Sequence, residues 1–326
     1  MSSPDPWAGI APATAAAVFS GRRAAAEHPF DFFWGRDVEG RRLLALFYAP
    51  GQGSAQPRPV LNGIDIIEPD PMHGERAAFI FVLRQHDASD LFAQLCRDIM
   101  TAAAECLDEA AALSAAIRRA WAWHSLLRSG GSGRLSDAEQ QGLFGELLML
   151  RRLISRCGAA TALAAWRGPL DEPKDFRVGE LAVEVKTCGG GRHSVEITSA
   201  DQLDPAGITR LILAAYHLAP AGAGTLNALS LDAIVSDLRA DLTATPAAEQ
   251  FDTLLIAAGW SDDGHYDAPH WLALDTELYL VGADFPRIAA SVLPAGVGQV
   301  RYRLDLNACA SSALDAAALD HWLEEC

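Results

Sequence analysis

The sequence predicts an α+β protein, in which strands and helices follow one another in blocks rather than in strict alternation. The first 83 residues hold several apolar, strand-like runs divided by Gly and Pro, and two long helical patterns come after them. In the middle of the chain, a helix with clear start and stop signals precedes a segment that alternates between apolar and polar residues. Both observations predict helices packed on sheets, and no internal repeat interrupts the pattern.

The elements follow in chain order. Residues 1–28 are rich in alanine and are expected to include a short helix. Beyond them, strands are expected at 30–34, 42–48, 61–67 and 77–83, and helices at 89–104 and 108–127. The Gly- and Ser-rich stretch 129–133 marks a flexible boundary. The chain is therefore divided into a β-rich N-terminal domain with following helices (1–129), a core (130–220) and an acidic α+β C-terminal region (221–326).

In the C-terminal region, the same patterns predict further helices and strands. The helices are expected at 230–242, at 247–258 and at the C-terminus, and the strands at 271–274, 277–281 and 299–304.

A single helix is predicted over 137–157, because start and stop signals bracket it. Ser136 and Glu139 match a capping box, in which two side chains satisfy free amides of the first helical turn. Gly158 stands where the end of a helix favours a left-handed residue. Glu146 lies at the edge of the apolar stripe of this helix. Its side chain is therefore expected at the border of the buried face, next to the elements on which the helix packs.

The segment 181–187 alternates apolar and polar residues and predicts a strand with Glu184 and Lys186 on the same side. Just upstream, 174–178 predicts a short strand, and a glycine-containing turn would join the two into a hairpin that brings Asp175 beside Glu184. Two close carboxylates repel unless a cation lies between them, and hard oxygen ligands suit Mg²⁺. Lys186 would then orient a metal-bound water or stabilise charge on a phosphate.

Lysine is almost absent from the chain, which uses arginine wherever a generic cation is needed. Only Lys174 and Lys186 occur, against 24 arginines. The planar fork of arginine cannot replace a compact ammonium. Because both lysines lie at the predicted hairpin, their position supports a site there that requires an ammonium group.

Downstream of the hairpin, a third strand is predicted at 192–197, a short helix at 198–203 and a buried strand at 208–218. The apolar run of the last segment also fits a helix. His193, at the start of the third strand, fits a surface or structural histidine better than a catalytic base.

This order of elements resembles the common core of the PD-(D/E)XK phosphodiesterase superfamily. G-E-L at Gly145, K-D-F at Lys174, E-V-K at Glu184 and S-x-x-Q-L at Ser199 are similar, more narrowly, to a bacterial family of PD-(D/E)XK motif proteins. The resemblance is strongest over residues 135–218. The chain departs from the motif in one place, because Pro-Lys-Asp stands where the nominal pattern has Pro-Asp.

The resemblance implies a restriction-endonuclease-like core with a mixed central sheet, and a Mg²⁺-dependent endonuclease that hydrolyses DNA, with Mn²⁺ able to substitute. It implies that Asp175, Glu184 and Glu146 hold the metal ion, that Lys186 positions the attacking water, and that Gln202 assists by binding phosphate or a base edge. Members of the narrower family are encoded beside DNA methyltransferases and ATPases in defence loci. The resemblance therefore implies the cleaving subunit of a bacterial restriction or anti-phage defence system, with DNA and those proteins as partners.

Other interpretations stay open at this point. Glu184 and Lys186 also fit a solvated strand face. Glu146 also fits an ion pair with Arg152 or Arg177, and Gln202 also fits a helix cap partner. At the level of function, the alternatives are a non-cleaving scaffold or DNA-binding subunit that retains the nuclease fold, and a DNA-repair or RNA nuclease.

Charge and composition limit how the chain would meet DNA. The formal net charge is −16, and residues 211–326 carry 4 basic against 16 acidic side chains. Because phosphate contacts are made by Lys and Arg, weak DNA binding by the chain alone is expected, with a partner supplying affinity. The six cysteines form no C-x-x-C pair, and no apolar run reaches the ~18 residues that a membrane span needs, which predicts a cytoplasmic protein.

Overall fold

The computed structural model of the chain describes residues 5–15, 17–53, 56–59, 61, 63–70, 76–84, 88–128, 134–189, 191–243, 245 and 247–325. The chain divides into two compact units, Met1–Gly131 and Ser132–Cys326. The stretch 129–133, predicted as a flexible boundary, lies outside the described residues. Within the described part of the chain, no helix has the length and apolar character needed to cross a membrane.

The first unit is an antiparallel sheet followed by two helices. Its strands, in the spatial order β1-β2-β3-β5-β4, and its helices are β1 (Ser20–Arg23), β2 (Asp31–Arg36), β3 (Arg42–Tyr48), β4 (Ile64–Ile67), β5 (Ala77–Leu83), α1 (Ser89–Ala104) and α2 (Glu109–Arg128). The elements predicted after residue 28 are confirmed. The short helix predicted within 1–28 is wrong for the described residues there, because residues 20–23 pair with β2 and tertiary pairing outweighs the helix propensity of alanine.

The second unit contains every residue predicted to form the site. Its helices are α3 (Asp137–Cys157), α4 (Ala159–Ala165), α5 (Leu231–Leu242), α6 (Ala247–Ala257) and α7 (Ala316–Glu324). Its strands are β6 (Phe176–Val178), β7 (Leu181–Gly189), β8 (Ser194–Ile197), β9 (Arg210–Ala221), β10 (Leu229–Ser230), β11 (His270–Leu280), β12 (Tyr302–Asp305) and β13 (Ala313–Leu314).

Helix α3 begins and ends where its sequence signals predict. The Ser136 hydroxyl accepts a hydrogen bond from the Glu139 amide, and the Glu139 carboxylate accepts one from the Ser136 amide at 2.8 Å. Gly158 closes the helix with a φ of +80°, in the region that favours glycine. The predicted helix is confirmed over its whole length.

A mixed six-stranded sheet is the centre of the second unit, as predicted. Its strands follow the order β10-β11-β9-β7-β6, with β13 paired to β11. β7 and β9 run parallel, and the remaining pairs are antiparallel. The parallel pair is covered on both faces, which explains why β9 reads as an unbroken apolar run. The segment 208–218 therefore belongs to a strand and not to a helix.

Three other expectations differ from the structure. β8 forms a separate two-stranded sheet with β12 and does not extend the central sheet. The two strands predicted at 271–274 and 277–281 are one strand, β11, whose register shifts between Ala273 and Thr276. The short helix predicted at 198–203 is a turn. β11 also places a strand from the acidic C-terminal region next to β9, inside the sheet that carries the predicted site.

Gly145 allows α3 to lie directly on β7. A Cβ atom at this position would lie 2.4 Å from Cγ2 of Thr187, closer than side chains tolerate, and 3.4 Å from Cγ1 of Val185. The absence of a side chain at Gly145 therefore sets the distance between helix and strand. It also sets how near the next residue, Glu146, comes to the polar residues of β7.

Replacing Gly145 by Ala is expected to lower the free energy of unfolding by about 1–3 kcal/mol, because the new methyl group overlaps Thr187. Gly142→Ala in the same helix is the matched control, since nothing lies within 4 Å of its Cβ position. That control is expected to gain up to about 1 kcal/mol from helix propensity. Urea unfolding measures both variants, and equal effects would contradict the close helix-strand contact.

Candidate active site

Three carboxylates and one ammonium converge at the open edge of β7. β6 is only three residues long and pairs with residues 181–183, so the next amides of β7 lie beyond its end. Asp175, directly before β6, fills this gap, because its Oδ2 accepts a hydrogen bond from the Val185 amide at 2.6 Å. Glu184 and Lys186 belong to β7, and Glu146 comes from α3.

The backbone around Asp175 is fixed from the other side as well. Its carbonyl oxygen accepts hydrogen bonds from the Arg167 amide at 2.7 Å and the Gly168 amide at 3.0 Å. A Cβ atom on Gly168 would lie 2.8 Å from Oε2 of Glu146 and 3.0 Å from Oδ1 of Asp175. Two carboxylate oxygens thus lie around one point above Gly168, and no side chain other than glycine's fits there.

Glu184 is the least satisfied group of the site. It is 0% exposed, and its Oε1 lies 2.7 Å from Nζ of Lys186. Its second oxygen, Oε2, is buried and has no hydrogen-bond partner among the described residues. The interpretation of Glu184 and Lys186 as a solvated strand face is therefore wrong. A buried carboxylate oxygen without a partner is costly, and a bound cation would remove that cost.

Trp166 orients Glu146 and was not singled out by the sequence. Its indole Nε1 donates a hydrogen bond to Oε2 of Glu146 at 2.7 Å. The Trp166 side chain is fully buried, so nothing in the sequence distinguishes it from a tryptophan that only fills the core. The alternative pairing of Glu146 with Arg152 is not found, because Arg152 pairs with Asp320 of α7 at 2.7 Å.

The protonation equilibria of the site follow from burial and like charge. Burial, reinforced by Asp175, raises the pKa of Glu184 to about 8. Burial and the same neighbour raise the pKa of Glu146 well above its usual range, and burial raises the pKa of Asp175 despite the nearby Lys186. For Lys186, burial acts to lower the pKa, but the carboxylates of Glu184 and Asp175 raise it overall. The ammonium therefore stays charged at neutral pH.

In residue type these carboxylates suit a divalent cation with hard oxygen ligands, although their ligand atoms do not all lie within 4.8 Å of one another. Three carboxylates supply oxygen atoms, one of which has no partner, and their mutual repulsion is what a bound cation relieves. Asp175, Glu184 and Glu146 are the residues that could hold such an ion. Lys186 remains outside that set as a fixed positive charge.

Gln202 lies across an open cleft from the carboxylates. The cleft, of about 360 Å³, is lined by Asp175, Gln202 and their neighbours Gly168, Asp171, Glu172, Pro173, Ser199 and Asp201. Oε1 of Gln202 accepts hydrogen bonds from the amides of Thr198 at 2.9 Å and Ser199 at 3.4 Å, so the side chain closes the turn after β8. Its amide nitrogen is the atom left to contact a ligand in the cleft.

Two arginines of α3 are paired with acidic side chains of α7. Asp320 of α7 pairs with both Arg152 and Arg156, the latter at 2.8 Å, and Glu324 adds a second contact to Arg156. Lys174 donates to the backbone carbonyl of Asp201 at the rim of the cleft. Part of the C-terminal acidity is thus paired with arginines of α3, and half of the residues that line the cleft are acidic.

Glu184 makes the stability of the metal-free protein depend on pH. Because its pKa is higher in the folded chain than in the unfolded chain, folding binds a proton between about pH 4.5 and 8. The free energy of unfolding should therefore fall as pH rises through that window, by up to about 1.4 kcal/mol per pH unit for this group. Glu184→Gln should remove this contribution. The stability of the variant relative to wild type should therefore increase as pH rises.

Thermal unfolding in EDTA across this window measures the difference. Glu196→Gln, an exposed glutamate on β8, is the matched control and should follow the wild-type pH profile. Parallel profiles for wild type and Glu184→Gln would contradict the buried, repelled state of the carboxylate.

Comparison with known proteins yields one match. Residues 4–307 match the family model described as "Putative PD-(D/E)XK family member, (DUF4420)". No curated protein and no solved structure matches the chain. Since the match covers nearly the whole chain, and since the α+β fold carries an acid, acid, lysine set at the edge of a mixed sheet, the chain belongs to this PD-(D/E)XK family.

Proposed function

We propose that the protein is a Mg²⁺-dependent DNA endonuclease and the cleaving subunit of a bacterial restriction or anti-phage defence system, with Mn²⁺ able to replace Mg²⁺. The observation that carries the proposal is the convergence of the partly buried Glu146 and Asp175 with the fully buried Glu184, beside the ammonium of Lys186. A structural protein has no need for three carboxylates that repel one another. A phosphodiesterase needs them to hold a cation against a phosphate.

In this proposal, Asp175 and Glu184 hold the metal ion, and Glu146, oriented by Trp166, completes its protein ligands. The ion, when bound, supplies Lewis-acid stabilisation of negative charge at the phosphate. Lys186 contributes a positive charge fixed 2.7 Å from Glu184. Because that lysine is protonated, it donates hydrogen bonds to the attacking water and to the phosphate oxygens and does not accept the proton of the water.

The amide nitrogen of Gln202 would contact a phosphate or a base edge from the far side of the cleft. Its oxygen is held by the turn after β8, so the side chain is preoriented with its donor group free for a ligand. Such a role positions the nucleic acid and takes no part in bond breaking.

The charges around the cleft support targeting of the protein to DNA by a partner. Half of the residues that line the cleft are acidic, and two of the three arginines of α3, Arg152 and Arg156, are paired with α7. A phosphate backbone is therefore repelled until a cation is present, and few basic side chains are left to track it. An ATPase or a methyltransferase of the same locus would bring the protein to DNA, and the acidic residues 211–326 would be the docking surface.

The competing function, a scaffold or DNA-binding subunit that does not cut, is less consistent with the site. Loss of catalysis would remove the pressure to keep a carboxyl group at Glu184 buried with an oxygen that has no partner, at a cost to folding. The two functions are separated by a plasmid-nicking assay with Mg²⁺ or Mn²⁺, run with and without the products of neighbouring genes.

Lys186→Arg is expected to reduce nicking at least about a hundredfold, because a guanidinium cannot occupy the compact position of a buried ammonium. Lys174→Arg is the matched control, since this half-buried lysine only donates to a backbone carbonyl that arginine also reaches. The control should keep nicking within about tenfold of wild type. Equal activity of both variants would remove Lys186 from the reaction.

Duplex DNA should bind weakly to the isolated protein at moderate salt. Glu184→Gln is the form to titrate, because it keeps the surface charge pattern while preventing cleavage during the measurement. A dissociation constant weaker than about 1 µM, in the range of non-specific binding, is expected. A nanomolar constant with a steep salt dependence would show that a basic groove supplies the affinity and that no partner is needed.

A further inference from the structure

Outside the carboxylate site, a second group of metal-binding side chains is assembled from distant parts of the sequence. His193 precedes β8, His217 lies on β9, and Glu277 lies on the neighbouring strand β11. One ligand atom of each residue lies within 4.8 Å of the others. Among the described residues, this is the one set of three such groups that is so close.

Two of the three side chains are already fixed in place. Nε2 of His217 lies 2.9 Å from Oε2 of Glu277, and the Tyr279 hydroxyl donates to the same oxygen at 3.0 Å. The other ring nitrogen of His217, Nδ1, lies 3.3 Å from Sγ of Cys188. Metal-binding histidines are typically held in this way, with the second ring nitrogen fixed by a neighbouring group.

We propose that His193, His217 and Glu277 form a second metal site, which takes a first-row transition-metal ion of the Zn²⁺ class. Two imidazoles and one carboxylate match the ligand preference of Zn²⁺, whereas Mg²⁺ prefers oxygen ligands alone. Three protein ligands leave a fourth tetrahedral position for water or for a group of a bound molecule. The site is therefore distinct in chemistry from the carboxylate site.

Binding requires a change in the hydrogen bonds of His217. Its Nε2 gives up the contact with Glu277 so that the lone pair faces the ion, and the ring proton then lies on Nδ1, next to the sulfur of Cys188. His217 is buried and Glu277 half-buried, whereas His193 is exposed. The ion would therefore reach the site from the side of His193, and this residue would complete the coordination.

The two sites share one strand face. Glu184, Lys186 and Cys188 are alternate residues of β7 and so point the same way. Cys188, the neighbour of His217, lies about 7 Å along the strand from Lys186. The second ion would link the segment before β8 to β9 and β11, next to the strand that carries the ammonium, independently of whether the carboxylate site cuts DNA.

The test is direct metal binding by the full chain. With millimolar Mg²⁺ present to occupy the carboxylate site, Zn²⁺ competition against a chromophoric chelator and the visible spectrum of Co²⁺ should both show one ion bound per chain. His193→Ala should weaken binding at least about tenfold, a loss that removal of even an outer contact produces. Because His193 is exposed, this variant should fold, and its melting temperature checks that.

Two further variants act as controls. His321→Ala removes an exposed histidine of α7 and should bind Zn²⁺ as wild type does. Glu184→Gln alters the carboxylate site and should also leave Zn²⁺ affinity unchanged, so failure of the nuclease proposal would not affect this result. The inference is overturned if wild type binds no stoichiometric Zn²⁺ or Co²⁺, if His193→Ala binds as wild type does, or if millimolar Mg²⁺ displaces the Co²⁺.

Discussion

Repulsion among three converging carboxylates, one of them fully buried, is the constraint on which the rest of the second unit depends. The three carboxylates come from separate parts of the chain, and each has a different partner. Glu146 accepts from the Trp166 indole, Asp175 accepts from the Val185 amide, and Glu184 pairs with the Lys186 ammonium. None of these partners forms a hydrogen bond with the second carboxylate oxygen of Glu184. The fold therefore stores an unfavourable electrostatic interaction at one point, and the surrounding core must supply the stability that keeps it there.

The architecture supplies that support by fixing the backbone on every side. Gly145 lets α3 lie on β7, and Gly168 leaves room for two carboxylate oxygens. The parallel pair of β7 and β9 is buried in the middle of the sheet, so the strand that carries Glu184 and Lys186 is rigid. The short β6 leaves an amide of β7 for Asp175 to occupy. A site of this kind is preorganised for a cation and is costly without one.

Local sequence signals predicted the elements that depend on neighbouring residues. They did not predict the elements whose structure depends on contacts with distant segments of the chain. The capping box of α3 and the alternation of β7 act within a few residues, so both were readable from sequence. The pairing of β8 with β12, the entry of β11 into the central sheet and the contact of Trp166 with Glu146 depend on tertiary packing. The helix predicted at 198–203 is a turn because the Gln202 side chain accepts a hydrogen bond from the Thr198 amide. The convergence of His193, His217 and Glu277 could not be predicted, because the spacing of these residues in the sequence matches no metal-binding pattern.

The measurement that tests the account most directly is the melting temperature of the protein as a function of Mg²⁺ at pH 8, in the His193→Ala background so that the histidine cluster does not contribute. If the carboxylates are held apart for a cation, Mg²⁺ at a hundred times its dissociation constant should stabilise the fold by about 2.7 kcal/mol. The same titration of the double variant with Glu184→Gln should show little or no shift. The central claim is that the converging carboxylates of this PD-(D/E)XK family member form a metal site. A melting temperature that does not change with Mg²⁺, or that rises equally in both proteins, would contradict it.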